Sequence, residues 1–366
     1  MTASLAFDAR ADRAAAHAPD DPGPRQVDDA RLLRAAAEIA RDLHVASPAI
    51  YWTDFLASAA LGYAGLAAAI LAPSVWLALA AALVSVLALY RAESFTHELT
   101  HMKHSSLPGF RLGWNAVIGV PLMVPSFMYE GVHNLHHAKT RYGTVEDPEY
   151  LPLARMTPWA TLGFVAISAL APIGLLIRHA LLTPLSLLSP RLRAVVVARY
   201  SGLVINPDFR RRPPEGEAAR RWRRQEIVTS IWAIGLLAMV AGGVVPLRAF
   251  LIFLGIAAAV AVINQVRTLV AHLWENDGTP MTVTAQYLDS VNVPPPALLP
   301  ALWAPVGLRY HALHHLLPSL PYHALGEAHR RLVAALGRDS TYQRGNHPGL
   351  TGLIARLVRS AAASRR

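Results

Sequence analysis

Two long stretches of this chain are almost devoid of charge, and they make it an integral membrane protein. Ile50 to Tyr90 carries one charged residue, Asp54, and Ile227 to Val266 carries one, Arg248. A helix needs only ~20 apolar residues to cross a bilayer, so each stretch is long enough for two crossings. Pro73-Ser74 divides the first stretch, and Gly242-Gly243 with Pro246 divides the second. Both therefore read as helical hairpins with short turns, over about 50–92 and 226–268. The composition agrees, because only 16% of the residues are charged, against roughly 25% in soluble domains.

The net charge of +10 is placed unevenly. Ten arginines lie between Arg191 and Arg224. The positive-inside rule puts this 190–225 connector in the cytoplasm, as expected for a bacterial inner-membrane protein. Arg31, Arg34, Arg41 and Arg91 flank the first hairpin on the same side. A basic segment beside a membrane fits anionic lipid. No base-stacking module accompanies it, so nucleic acid is not an expected partner. The chain has no cysteine, which excludes disulfides and thiolate chemistry.

Residues 1–27 lack the apolar core of a signal peptide and are expected to be a disordered tail. Residues 28–48 place Leu32, Leu33, Ala36, Ile39, Ala40 and Leu43 on one stripe, which predicts an amphipathic helix lying on the membrane surface. Segment 157–189 is apolar but broken by Pro172, Arg178-His179 and Pro184. It is expected to lie in the interface or dip partway, making zero or two crossings. Residues 336–366 read as a C-terminal tail.

The chemistry is carried by three histidine boxes: HELTH (His97–His101), HNLHH (His133–His137) and HALHH (His311–His315). Helical residues three or four apart share a face, with Cβ atoms roughly 5–6 Å apart. Each box can thus aim two or three imidazoles at one point. Eight imidazoles exceed the four ligands of one tetrahedral zinc and suit two metal ions. Imidazole favours iron, copper, zinc or nickel. His272 follows the second hairpin on the same side and is a candidate ninth ligand; the alternative is a lone interfacial histidine bonded to a backbone carbonyl. His104 is three residues past His101 and is either a support for the site or an exposed polar group. His323 is a candidate support too, although it and His329 read better as structural hydrogen-bonding groups. HELTH also matches the HExxH zinc-protease motif, with Glu98 as general base and Asp277 as a third ligand. That reading leaves two boxes unexplained.

At these boxes the chain resembles the membrane fatty acid desaturase superfamily of histidine-box di-iron enzymes, over about residues 50–332. GLRYHALHHLLPSLPYHALGEAHRRL, from Gly307 to Leu332, is similar to the third-box region of bacterial acyl desaturases. HNLHHAKTRYGTVEDPEY resembles the second-box region, with Glu146 and Asp147 downstream of it. AHLWENDG resembles the place where relatives supply an extra histidine. The resemblance implies an all-α membrane domain (49–335) of four transmembrane helices in two hairpins, with a cytosolic helical cap holding two irons. The implied ligands are His97, His101, His133, His136, His137, His272, His311, His314 and His315. Where some relatives carry an asparagine one turn before the extra histidine, this chain has Thr268. Glu146, Asp147 and Asp277 are candidates to orient the ligating rings.

Breaking an unactivated C–H bond needs a redox metal and O2, since no side chain is a strong enough oxidant. The expected activity is desaturation of an acyl chain borne on a lipid, coenzyme A or an acyl carrier. Hydroxylases, ketolases, acetylenases and sphingolipid-modifying enzymes share the boxes and form the alternative. The Asn346-His347-Pro348-Gly349 string leaves too few residues after it for a fused haem domain. Electrons are therefore expected from a separate donor such as a ferredoxin with its reductase. Transport is disfavoured, because the spanning stretches are almost free of charge.

Overall fold

A computed structural model describes residues 27–363, and apart from Val27 the expected disordered tail lies outside them. The described residues are helical and contain no strand, only isolated β-bridges. Helix α1 (Ala30–Ile39) is capped by Asp29, whose carboxylate accepts from the N–H groups of Arg31 and Leu32. Next come α2 (Pro48–Leu71), with proline in its first turn, and α3 (Val75–Glu93), continued after Ser94 by α4 (Phe95–His101). The second box forms the short helix α5 (His133–His136). The second apolar stretch yields α6 (Gly216–Ala241) and α7 (Leu247–Leu269). Beyond them lie α8 (Val283–Asp289), α9 (His311–Leu316) and α10 (Leu325–Leu336).

Small residues set the spacing of the first hairpin. A Cβ added at Gly65 would sit 2.9 Å from the Ser85 backbone nitrogen, and one at Gly62 would meet Leu89. Ser85 Oγ donates to the Gly62 carbonyl at 2.8 Å. A backbone cannot yield as a flexible side chain can, so Gly65→Ala is expected to overpack the pair by about 1–3 kcal/mol. A lowered midpoint of thermal unfolding in detergent would register it. Asp54 and Arg91, which interrupt the apolar surface here, cancel each other. They pair at 2.6 and 2.7 Å, and Tyr322 donates to Asp54 as well.

Five helical segments are long and apolar enough to cross a membrane, where the sequence predicts four. The fifth is Pro158–Leu187, whose helix tightens to 3₁₀ over Ile167–Leu170 and widens to a π-helix over Ile177–Leu182. Its first half packs on α7 and its second on α6, so it wedges between the arms of the second hairpin. Just before it, Ala154 N–H donates to the Trp274 carbonyl, two residues past His272. Near its far end Arg178 bonds Glu226, also held by Arg193, while the neighbouring Gln225 accepts from Phe127 N–H just upstream of the second box.

Two terminal segments pack on the helical body. The α1 stripe packs on the protein: Leu32 and Ala36 are buried with Leu332 and Leu336 of α10, which consumes the face expected to meet the bilayer. The region read as a C-terminal tail is ordered, with helices at Thr341–Arg344 and Leu350–Ala363. Leu353 and Leu357 recur at helical spacing and are buried, the first against Val270 and Val291, the second in the cluster of Trp274. This packing backs the segment that carries His272.

Candidate metal centre

Each box enters the site from a different element. His97 and His101 stand one turn apart on α4, at its junction with α3. His133, His136 and His137 occupy α5 and the residue after it, and His311, His314 and His315 lie on α9. His272 follows α7 and is fixed by an antiparallel bridge to Ser290, flanked by Leu273 N–H to Asp289 O at 2.7 Å and Val291 N–H to Ala271 O at 2.9 Å. Asn292 carries the same frame to the third box, its side-chain oxygen accepting from Leu313 N–H at 2.9 Å.

All nine histidines converge, in two groups. His97, His101, His133, His137 and His314 offer nitrogen atoms that lie within 4.8 Å of one another, and so do His136, His272, His311 and His315. The split follows from the helix. Residues i and i+4 are nearly eclipsed, whereas i+3 is turned away by roughly 60° from i. In HNLHH the first and last histidines therefore face one group and the middle one faces the other. HALHH repeats this with the groups exchanged. An HxxHH box can serve two ions, while HELTH, lacking the middle histidine, serves one.

Hydrogen bonding decides what the rings offer. His136 Nδ1 lies 2.9 and 3.1 Å from the two oxygens of Asp147, which is fully buried and also accepts from Gly143 N–H and Glu149 N–H. His272 Nδ1 lies 2.8 Å from Tyr142 Oη, whose own proton goes to Asp289 at 2.8 Å. Both Nδ1 atoms are thus donors, and both Nε2 atoms carry lone pairs. These two Nε2 atoms face each other at 3.3 Å, where two lone pairs repel unless a cation lies between them. Other facing nitrogens are 3.0 Å (His311 and His272), 3.1 Å (His314 and His101) and 3.0 Å (His137 and His133) apart. Ligands bound at about 2.1 Å to one ion lie about 3.0–3.4 Å apart, so the donor set fits metal ions. His97 adds that both of its ring nitrogens are buried with no partner.

Burial, the largest influence, holds the pKa values of His133, His137, His272, His311, His314 and His315 well below the usual range, and the neighbouring imidazoles lower them further. These rings stay neutral, as metal ligation requires. At His136 burial is outweighed by Asp147, and the pKa is raised. Glu149, pushed up to about 7 by burial, accepts from His133 Nδ1 at 3.0 Å and from Tyr129.

The expected supporting residues fare unequally. Asp147 orients His136 as the sequence suggests. Glu146 does not: it is exposed, in the turn closed by Asp147 N–H on the Thr144 carbonyl, and pairs loosely with Arg141 at 3.7 Å. Asp277 is exposed and caps its own turn through Thr279. His104 is exposed beyond the end of α4, where the helical register that would have aligned it with His101 has stopped. His323 accepts from Ser47 N–H at 3.1 Å and ties the start of α2 to the segment after the third box. Glu98 is buried; its Oε2 accepts from Tyr51 and from Tyr322 N–H, while its Oε1 lies 3.9 Å from His97 Nδ1. Alanine at His104, Glu146 or Asp277 is therefore expected to leave metal content and turnover within twofold of wild type, assayed side by side. Sequence reasoning misses Glu149, Tyr142 and Asp289. Glu149 and Tyr142 stand in view in HNLHHAKTRYGTVEDPEY, whereas Asp289 carries no motif at all.

Residues 73–346 match the family model described as fatty acid desaturase. The chain belongs to the fatty acid desaturase family. A curated relative in Caulobacter vibrioides (strain NA1000 / CB15N), described as ceramide hydroxylase, is 52% identical over 339 residues, which is 92% of this chain and 95% of that protein. No solved structure matches. Membership makes the chain an oxidoreductase of the desaturase and hydroxylase type, and its several long apolar helices fit an integral membrane protein.

A cavity of about 360 Å³ adjoins the histidines. It lies between α7 and the Pro158–Leu187 segment and reaches His97, His133, His136, His272 and His311, so it touches both groups. Ile167 and Asn264 line it and are exposed on the outer faces of those two elements, which gives it a lateral mouth.

Proposed function

We propose that this protein is an O2-dependent di-iron hydroxylase of ceramide. The observation that carries the reading is the 52% identity, over nearly the whole of both chains, to a ceramide hydroxylase. It favours the hydroxylase reading over the desaturation expected from the family resemblance. In hydroxylation a C–H bond, O2, two electrons and two protons give C–OH and one water. Desaturation takes the same inputs and gives C=C and two waters. The boxes serve both outcomes equally.

The nine histidines would hold two irons, which supply the oxidising power. His97, His101, His133, His137 and His314 would bind one, and His136, His272, His311 and His315 the other. Asp147, Glu149 and the Tyr142–Asp289 pair orient the rings. The lateral cavity admits a lipid chain from the bilayer and holds it against both groups, away from water. Four helices (α2, α3, α6 and α7) cross the membrane. The Pro158–Leu187 segment enters and leaves on one side, because His136 and His272, which flank it in sequence, meet at one site. The arginine-rich connector puts that site in the cytoplasm of a bacterial inner membrane. A ferredoxin-type donor would dock on the basic face by complementary charge.

The test is turnover of an N-acyl dihydrosphingosine by purified protein with ferredoxin, its reductase and isotopically labelled dioxygen. Mass spectrometry is expected to find a product heavier by one labelled oxygen atom. A product lighter by two hydrogens would restore the desaturase reading, and an unaltered ceramide alongside a converted acyl lipid would overturn the substrate.

A further inference from the structure

Most charges buried in the helical body are matched. Asp54 holds Arg91, Glu226 holds Arg178 and Arg193, and Asp147 holds His136. Arg267 is not matched in this way. It sits in the last turn of α7, is only 7% exposed, and its Nε is buried without a hydrogen-bond partner. No carboxylate lies within ion-pair distance of it among the described residues, although its charge acts on Glu149 across the cavity. Glu93, at the end of α3, also lacks an ion-pair partner there. Both residues line the cavity that reaches the histidines.

An unpaired ionisable group inside a membrane protein is costly and marks a functional site by default. The guanidinium offers only N–H donors, and a carboxylate only acceptors. A partner that satisfies both must carry a hydrogen-bond acceptor and a donor in one polar head on an apolar molecule. The hydroxylated amide head of a ceramide has this pattern, with a carbonyl oxygen beside N–H and O–H groups. An ionised fatty acid, with acceptors only, or a hydrocarbon does not.

We propose that Arg267 and Glu93 form a clamp for the head of the ceramide, Arg267 donating to the amide oxygen and Glu93 accepting from a hydroxyl or the amide N–H. The proposal rests on the hydroxylase reading above and adds how the substrate is recognised and registered. Arg267 lies five residues before His272 in the chain, so a head held there sits at a fixed distance from the metal groups. The clamp therefore selects which carbon is presented for oxidation.

The experiment uses full-length, metal-loaded protein and its R267M, R267K and E93Q variants. An N-acyl dihydrosphingosine and a fatty acid of equal chain length are the two substrates. Metal content is measured first, then KM and kcat for each substrate, then the position of the new oxygen by tandem mass spectrometry. Loss of a charged hydrogen bond is expected to raise the ceramide KM of R267M by about ten- to a hundredfold. Metal content should hold, and any conversion of the fatty acid should change far less than that of the ceramide. Oxygen should scatter over neighbouring carbons, which a merely structural role would not cause. R267K keeps the charge but not the planar fork and should fall between.

Wild-type KM and a single product position in both R267M and E93Q would overturn the clamp while leaving the hydroxylase reading intact. If wild-type protein never oxidises the ceramide, the reading itself fails and the clamp with it. Should R267M not fold or not load metal, R267K and E93Q decide by the same two readouts.

Discussion

Alanine in place of His272 is expected to cost the protein one of its two metal ions and essentially all turnover. His272 belongs to the smaller group, so its loss leaves three nitrogens, from His136, His311 and His315. It also leaves the Tyr142–Asp289 pair buried with no ring to orient, and removes the nitrogen that faces His136 Nε2 at 3.3 Å and His311 Nε2 at 3.0 Å. Outer partners of a metal ligand typically contribute 10–100-fold in affinity, so deleting the ligand itself should weaken that ion by at least about a hundredfold. Elemental analysis of purified protein should then find one retained ion, in the five-histidine group, and no hydroxylated product. Two ions per chain with wild-type turnover would remove His272 from the site. The contrast with His104→Ala is informative, since each histidine lies close in sequence to an apolar helix end. Of the two, His272 alone is held by a bridge, to Ser290.

That contrast also separates what the amino-acid sequence reveals by itself from what only the fold reveals. Histidine spacing determines which rings share a helix face, so the three boxes and their convergence are legible in the sequence. The two apolar stretches likewise declare their hairpins. Legibility fails where the outcome depends on register between distant segments. Glu146, Asp147 and Glu149 are alike by composition and position, yet the first faces outward from its turn while the other two are buried against the histidines. Asp289 reaches His272 through Tyr142, a contact between residues 147 positions apart. The Pro158–Leu187 segment is the hardest to read. Its prolines and Arg178 suggest a surface path, but Glu226 lies far away in sequence and neutralises the arginine that makes a buried path look costly. Leu350–Ala363 resembles a tail because its partners, Val270, Val291 and Trp274, belong to other parts of the chain.

Asp147→Asn and Glu149→Gln are expected to impair opposite metal groups, although the two residues are separated only by Pro148. Asp147 accepts from His136 Nδ1, and His136 belongs to the four-histidine group. Glu149 accepts from His133 Nδ1, and His133 belongs to the five-histidine group. An amide keeps the size of the carboxylate, but it lacks the charge and can present N–H where the ring requires an acceptor. The imidazole then either rotates or moves its proton to Nε2, and either change withdraws the lone pair from the metal. A loss of about 10–100-fold in affinity follows for the group concerned. Asp147 also accepts from Gly143 N–H and Glu149 N–H, so Asp147→Asn should lower the thermal midpoint as well, whereas Glu149→Gln should lower it less. Metal titration of the apoprotein should resolve one weakened and one unaltered site in each variant. The double variant should weaken both, with the losses adding because the two rings serve different ions. Equal weakening of both sites by either single change would mean that the nine histidines bind their metals as one cooperative cluster, and the division into five and four would have to be abandoned.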